Sequence, residues 1–125
     1  MPTATNPIKS TRTAFDVLEA LVDRGGATAT ELAADTDYTP GTVHNHLATL
    51  HELGYVTRRD GRYHPGLRFL YPALAARSAT GFYEEARGVV PGLADATGER
   101  VEVVAAEEGR AVVIHVAGDT GAFRP

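Results

Sequence analysis

The sequence predicts a mainly α chain with a small amount of β, built as a winged helix-turn-helix and extended by a linker helix and an incomplete α/β unit. Three observations carry this. A short capped helix and a longer capped helix are separated by about three residues around Asp37-Tyr38, the spacing of a helix-turn-helix. A two-residue Asp60-Gly61 turn follows between short β-rich runs, as in a hairpin. Beyond it lie two apolar helical stretches and then two Val-rich runs.

The 125 residues suffice for one average domain, or for a small domain plus part of another. Met1–Pro7 is small, polar and Pro-interrupted. It is expected to be a disordered arm, and it lacks the apolar run of a signal peptide. The first helix is expected from Ser10 to Arg24, with Ala14, Val17, Leu18, Leu21 and Val22 as its apolar stripe and Gly25-Gly26 as its stop. Thr28 opens the second helix. Thr28 and Glu31 have capping-box spacing, Leu32 and Ala33 point inward, and the helix ends near Thr36.

The third helix, Thr39–Leu53, is the expected recognition helix. Thr39 can cap its first turn and Pro40 suits the first helical position. Val43, Leu47, Leu50 and, less regularly, Leu53 form its buried face. The remaining surface holds Gly41, Thr42, His44, Asn45, Ala48, Thr49 and His51, with Glu52 as the single charge near its end. Short uncharged polar side chains suit close approach to base edges in a groove. Thr39, Gly41, Thr42, His44, Asn45 and Thr49 are therefore candidate DNA contacts, with Thr42, His44 and Asn45 first for base edges.

Gly54 should end this helix. Tyr55–Arg59 and Arg62–His64 then form the wing. Arg58, Arg59 and Arg62 cluster at its tip, three of the six cationic residues before Gly66, and are expected to hold phosphates or the minor groove. Leu67 to about Ser78 is expected to be a linker helix, kinked or ended in its first turn by Pro72. Thr80–Thr97 is expected to be a further helix, kinked or split at Pro91-Gly92, with Tyr83, Ala86, Val90, Leu93 and Ala94 inward. Strands Val101–Ala106 and Ala111–Ala117 follow across Glu107–Arg110, before a polar tail from Gly118 to Pro125. Val-rich strands suggest a sheet covered on both faces, completed by further chain or by a partner chain.

Net charge is −4, and of twelve cationic residues only Lys9 is a lysine. This usage fits a GC-rich genome and a high-salt organism, where DNA attraction is strongly screened. There is no Cys, hence no disulfide framework and no thiolate zinc site. The five His do not suggest a metal centre. His44 and His46 point to different sides of their helix, and His44 and His51 lie about 10 Å apart along it. His46 is expected at the edge of the core. No Gly-rich phosphate loop and no nucleophile with a nearby base is present, so no cofactor and no enzymatic activity are expected. The longest apolar runs are too short to cross a membrane, and a cytoplasmic location is expected.

The order of parts resembles the IclR family of transcriptional regulators. The resemblance rests on Ile8-Lys9-Ser10 and Arg12, on Thr30–Ala33, on Gly41–Leu50, on Leu53–Val56, on Tyr63 with Gly66, and on Ala94–Val101. It implies a DNA-binding domain over 8–66, a linker helix over 67–79 and the start of a GAF-like effector domain over 80–125. It also implies a homodimer on double-stranded DNA, acting as repressor or activator, with a tetramer and a small organic effector where the sensor is complete. Pro65, Pro72 and Pro91 depart from the family pattern. The exposed apolar side chains expected at Leu67, Leu70 and Leu74 would serve dimerisation. The alternative is a winged helix used for protein contacts without specific DNA binding. It would leave the wing arginines, Thr42 and Asn45 without a role.

Overall fold

The computed structural model describes residues 3–118. The first two residues of the arm and residues 119–125 of the tail lie outside them. The elements are α1 (Lys9–Arg24), α2 (Ala29–Asp35), α3 (Pro40–Glu52), β1 (Val56–Arg59), β2 (Arg62–Pro65), a 3-10 turn (Leu67–Phe69), α4 (Leu70–Ser78), α5 (Tyr83–Thr97), β3 (Val101–Glu107) and β4 (Arg110–Ala117). They form two compact units, one over Ala4–Tyr71 and one from Pro72 onward.

In the first unit, α1, α2 and α3 enclose one apolar core. Val17, Leu21, Leu32, Val43 and Leu47 are fully buried, joined by Leu18, Ala27, Val56 and Tyr63. The expected stripe on α1 needs one correction. Val22 is 57% exposed, and Thr13 occupies the buried register instead. Residues 13, 17 and 21 repeat every four positions and share a face, and the Thr13 hydroxyl is satisfied by donating to Lys9 O at 3.0 Å. Leu53 is likewise exposed. It ends α3 as the C-cap residue, beyond the reach of the core.

The capping expectations hold in detail. Thr28 Oγ1 accepts from Glu31 N, and Glu31 Oε1 accepts from Thr28 N. Thr39 Oγ1 accepts from Thr42 N at 3.2 Å. The turn between α2 and α3 is fastened to α1 by Tyr38, whose hydroxyl donates to Asp16 Oδ2 at 2.6 Å.

Strands β1 and β2 pair antiparallel, with Arg58 opposite Tyr63 and Arg59 opposite Arg62. The turn residues Asp60 (φ 53°) and Gly61 (φ 76°) both lie in the left-handed region, as a type I′ turn requires. Ala27 adds a single antiparallel bridge to β2 by pairing with Tyr63, its N–H donating to Tyr63 O and its carbonyl accepting from Tyr63 N. The first turn after the wing is anchored by Phe69, edge-on to Tyr55 with ring centroids 4.8 Å apart.

The stretch from Leu67 divides at Leu70 into a 3-10 turn and α4. Pro72 therefore falls in the first turn of α4, where a missing N–H costs no helical bond. Leu67, Leu70 and Leu74 are exposed, as expected.

In the second unit, α5 is one continuous helix with Pro91 inside it, not the two shorter pieces that were the alternative to a kink. It starts at Tyr83, not Thr80, because Thr80–Phe82 form a turn in which Tyr83 N donates to Thr80 O. Leu93 was expected inward but is exposed; Tyr83, Val90 and Ala94 form the buried face. Strands β3 and β4 pair antiparallel with a bulge at Val103/Val104, and Glu108 and Gly109 make the turn at positive φ. Val103 and Ala105 are buried on the face that packs against α5. Among the described residues the opposite face, with Val104, is open, so β3 alternates like a half-covered strand. Arg77 stacks on Tyr83, 4.5 Å from the ring centroid, and donates to Ile114 O, fastening the end of α4 to this unit.

Candidate nucleic-acid interface

The buried residues of α3 fix the direction of its outer face. Val43 and Leu47 are fully buried, and His46 and Leu50 are partly so. His46 thus borders the core, as expected. At 100° per residue, Gly41, Asn45, Ala48 and Glu52 lie opposite that core. His44 flanks them on one side; Thr42 and Thr49 flank them on the other. Thr39, Gly41, His44, Asn45 and Thr49 are exposed, while Thr42 is half-buried.

Thr42 and His44 therefore sit on opposite edges of the face, with Asn45 between them. The Thr42 hydroxyl is engaged, accepting from Thr39 Oγ1 at 3.1 Å. Thr49 donates to Asn45 O at 2.9 Å, leaving its oxygen free to accept. Asn45 has no side-chain hydrogen bond among the described residues, so its amide is free to pair. Ala48, placed on the outer surface by the sequence but not among the candidate contacts, lies at the centre of this face and is exposed; its i+3 spacing from Asn45 is the signal that marks it.

The wing arginines divide into three environments. Arg62 Nη1 contacts Glu31 Oε1 at 2.8 Å and its Nη2 donates to Gly26 O at 3.2 Å. Arg58 lies over the Tyr63 ring, 5.5 Å from its centroid. Arg59 has no ion pair or hydrogen bond among the described residues and is exposed. Arg59 and Arg62 are directly opposite in the hairpin, and two such like charges repel. Glu31 relieves this by neutralising one of them.

Glu31 is a junction. It accepts from Thr28 N and Arg62 through Oε1 and from Arg24 through Oε2. These donors, the Thr28 backbone N–H foremost, hold its carboxyl below its ordinary pKa. Arg24 also grips Asp35 with Nε at 2.7 Å and Nη2 at 3.1 Å. That hydrogen bond lowers the Asp35 pKa and raises that of Arg24. The Glu31 of the α2 capping box thereby braces the turn end of the wing, a role invisible in the local sequence because Arg62 is 31 positions away.

Among the described residues no group of three or more His, Cys, Asp or Glu side chains could hold a metal ion. No helix among them is long and apolar enough to cross a membrane.

A capped third helix with an uncharged polar outer face, next to an arginine-bearing hairpin, defines a winged helix-turn-helix. Comparison with known proteins agrees and is more specific. Residues 10–60 match the IclR helix-turn-helix domain. The chain is 31% identical over 109 residues to the probable HTH-type transcriptional regulator ArcR of Halobacterium salinarum, covering 86% of this chain and 41% of ArcR. The chain belongs to the IclR family of helix-turn-helix transcriptional regulators; the family is one of regulators, not of enzymes.

Solved structures share the fold. The IclR family regulator from Brucella abortus superposes with a TM-score of 0.75 at 21% identity, over 96% of this chain and 47% of that one. The IclR homologue complexed with 4-hydroxybenzoate from Microbacterium hydrocarbonoxydans gives 0.76 at 19% identity, over 94% and 50%. The Thermotoga maritima IclR gives 0.72 at 21% identity, over 88% and 46%. The chain spans half or less of the length of each of these relatives.

Proposed function

We propose that the chain binds double-stranded DNA at a specific operator as a homodimer, with α3 in the major groove and the wing on the backbone. The observation that carries this is the outer face of α3, where an unpaired Asn45 stands between His44 and Thr42 with no cation on the helix. The positive charge lies on the adjacent hairpin instead. In this reading Thr39, Gly41, Thr42, His44, Asn45 and Thr49 line the groove, and Asn45 pairs with a base edge, adenine being the base an amide matches bidentately. Arg59 and Arg58 contact phosphates or the minor groove. Arg62 acts mainly as the brace that sets the wing against α2. Residues 8–66 are the DNA-binding domain, 67–79 the linker helix and 80–125 the start of an effector domain. Leu67, Leu70 and Leu74 contribute apolar surface to the dimer.

Selection from a randomised duplex pool tests the proposal. The wild-type chain should enrich a two-half-site sequence, and Asn45→Ala should relax preference at one base pair by about 1–3 kcal/mol. Failure to enrich any sequence, together with a stable complex with another protein, would favour a protein-contact module.

A further inference from the structure

Arg62 differs from Arg58 and Arg59 in having a carboxylate partner among the described residues. Its Nη1 lies 2.8 Å from Glu31 Oε1, and its Nη2 donates to Gly26 O at 3.2 Å. A guanidinium meets a carboxylate and a phosphate with the same donors, so one gripped by the first is withheld from the second. The register of the hairpin sets the alternatives. Arg62 is opposite Arg59, and Ala27 pairs with Tyr63 on the other side, so the next residue, Thr28, falls beside Arg62. Arg62 therefore stands between a carboxylate on its inner side, held at the Thr28 cap, and a like charge on its outer side. Glu31 is itself fixed: its Oε1 accepts from Thr28 N at 3.0 Å and its Oε2 from Arg24 Nη1 at 2.8 Å. Arg24 in turn grips Asp35. Two cations and two carboxylates cancel within this network. The cap has already ordered Glu31, which removes part of the entropy cost that weakens most exposed ion pairs.

We infer that the Glu31 carboxylate stands in for a backbone phosphate at Arg62 and so limits the sequence-independent grip of the wing on DNA. The inference rests on the DNA-binding reading above. In it Glu31 touches no nucleic acid; it is a positioning residue that acts through Arg62. Phosphate contacts add affinity to every duplex and carry no sequence information. Holding one arginine inside the chain keeps that contribution small, and shortens the stay on unrelated DNA, while the base contacts of α3 are untouched. The sign of the effect is diagnostic. A carboxylate that only braced the wing would, on losing its charge, weaken DNA binding or leave it unchanged. A carboxylate that withholds Arg62 tightens DNA binding when its charge is lost, because Arg62 can then stand outward beside Arg59.

Glu31→Gln makes the test, because the amide oxygen of Gln can still accept from Thr28 N and keep the capping box; circular dichroism checks that the fold is retained. Binding of the full chain is measured across a salt series on the duplex selected by the wild type and on an unrelated duplex. Glu31→Gln should bind both more tightly with the same base preference. Its slope of log affinity against log salt should be steeper by about 0.9, so its advantage over the wild type shrinks about threefold between about 50 and 200 mM salt. The double variant Glu31→Gln/Arg62→Ala should return to the wild-type slope. A slope unchanged or shallower in Glu31→Gln, beside a wild type whose binding is salt-dependent, would overturn the inference and leave DNA binding standing. A steeper slope that persists in the double variant would also overturn it, since the released charge would not be that of Arg62. A wild type that binds no duplex even at low salt would overturn the DNA-binding reading and this inference with it.

Discussion

Replacing Gly26 with alanine tests how the wing is held. Gly26 is buried at φ +126°, a conformation that residues with a Cβ rarely adopt. Strain of that kind costs on the order of 1–3 kcal/mol. A Cβ built there would meet Cε1 and Nδ1 of His64, each at 2.6 Å. His64 is only half-buried, so its ring can swing outward, and the clash adds about 1 kcal/mol, at the lower end of overpacking costs. The total loss is about 2–4 kcal/mol by these terms. It falls where the wing is fastened, because Gly26 O accepts from Arg62 and the next residue pairs with Tyr63. Urea unfolding followed by circular dichroism measures it. His64→Ala in the Gly26→Ala background should recover the clash but not the strain, giving a coupling measurable in a double-mutant cycle. A loss below about 1 kcal/mol for Gly26→Ala, or full recovery in the double variant, would refute the reasoning.

Further outcomes follow from the same interactions. Leu47→Ala should lower unfolding free energy by about 2–5 kcal/mol, since the side chain is fully buried at the centre of the first unit's core; the urea midpoint reads it. Glu31 and Asp35 have pKa values depressed in the folded chain. Their contribution is present above the ordinary carboxylate range and is lost as pH falls from that range through their lower folded values. The midpoint should therefore drop below about pH 4, and Glu31→Gln should flatten that fall. Arg62→Ala should lower the midpoint slightly and leave the salt slope of DNA binding nearly unchanged, because its guanidinium is held by Glu31 and Gly26 O.

Local chemistry made much of the first unit legible. The caps at Thr28 and Thr39, Pro40 at the head of α3 and Asp60-Gly61 in the wing are short-range signals, and each element they mark is where the sequence placed it. Apolar periodicity did less well at the edges. Val22, Leu53 and Leu93 are apolar but face outward, and Thr13 is polar but inward. Helical spacing tolerates a residue on either side of a stripe, and tertiary packing decides which is covered. Pro91 leaves α5 a single helix, although one intrahelical bond is missing there. On the candidate interface the polar face of α3, and the order of residues across it, follow from helical spacing about Val43 and Leu47. The different settings of Arg58, Arg59 and Arg62 depend on Tyr63 and Glu31, and Glu31 lies in a different element.

The division of labour between α3 and the wing is tested most directly by duplex binding across a salt series. The duplex is the one selected by the wild-type chain, and Asn45→Ala and Arg59→Ala are measured beside the parent. Asn45→Ala should lose preference at one base pair while keeping the parent's slope of log affinity against log salt. Arg59→Ala should keep the preference, weaken all duplexes alike and reduce the slope by about 0.9 for each phosphate that is no longer neutralised. An unchanged slope in Arg59→Ala, or an unchanged base preference in Asn45→Ala, would contradict the account.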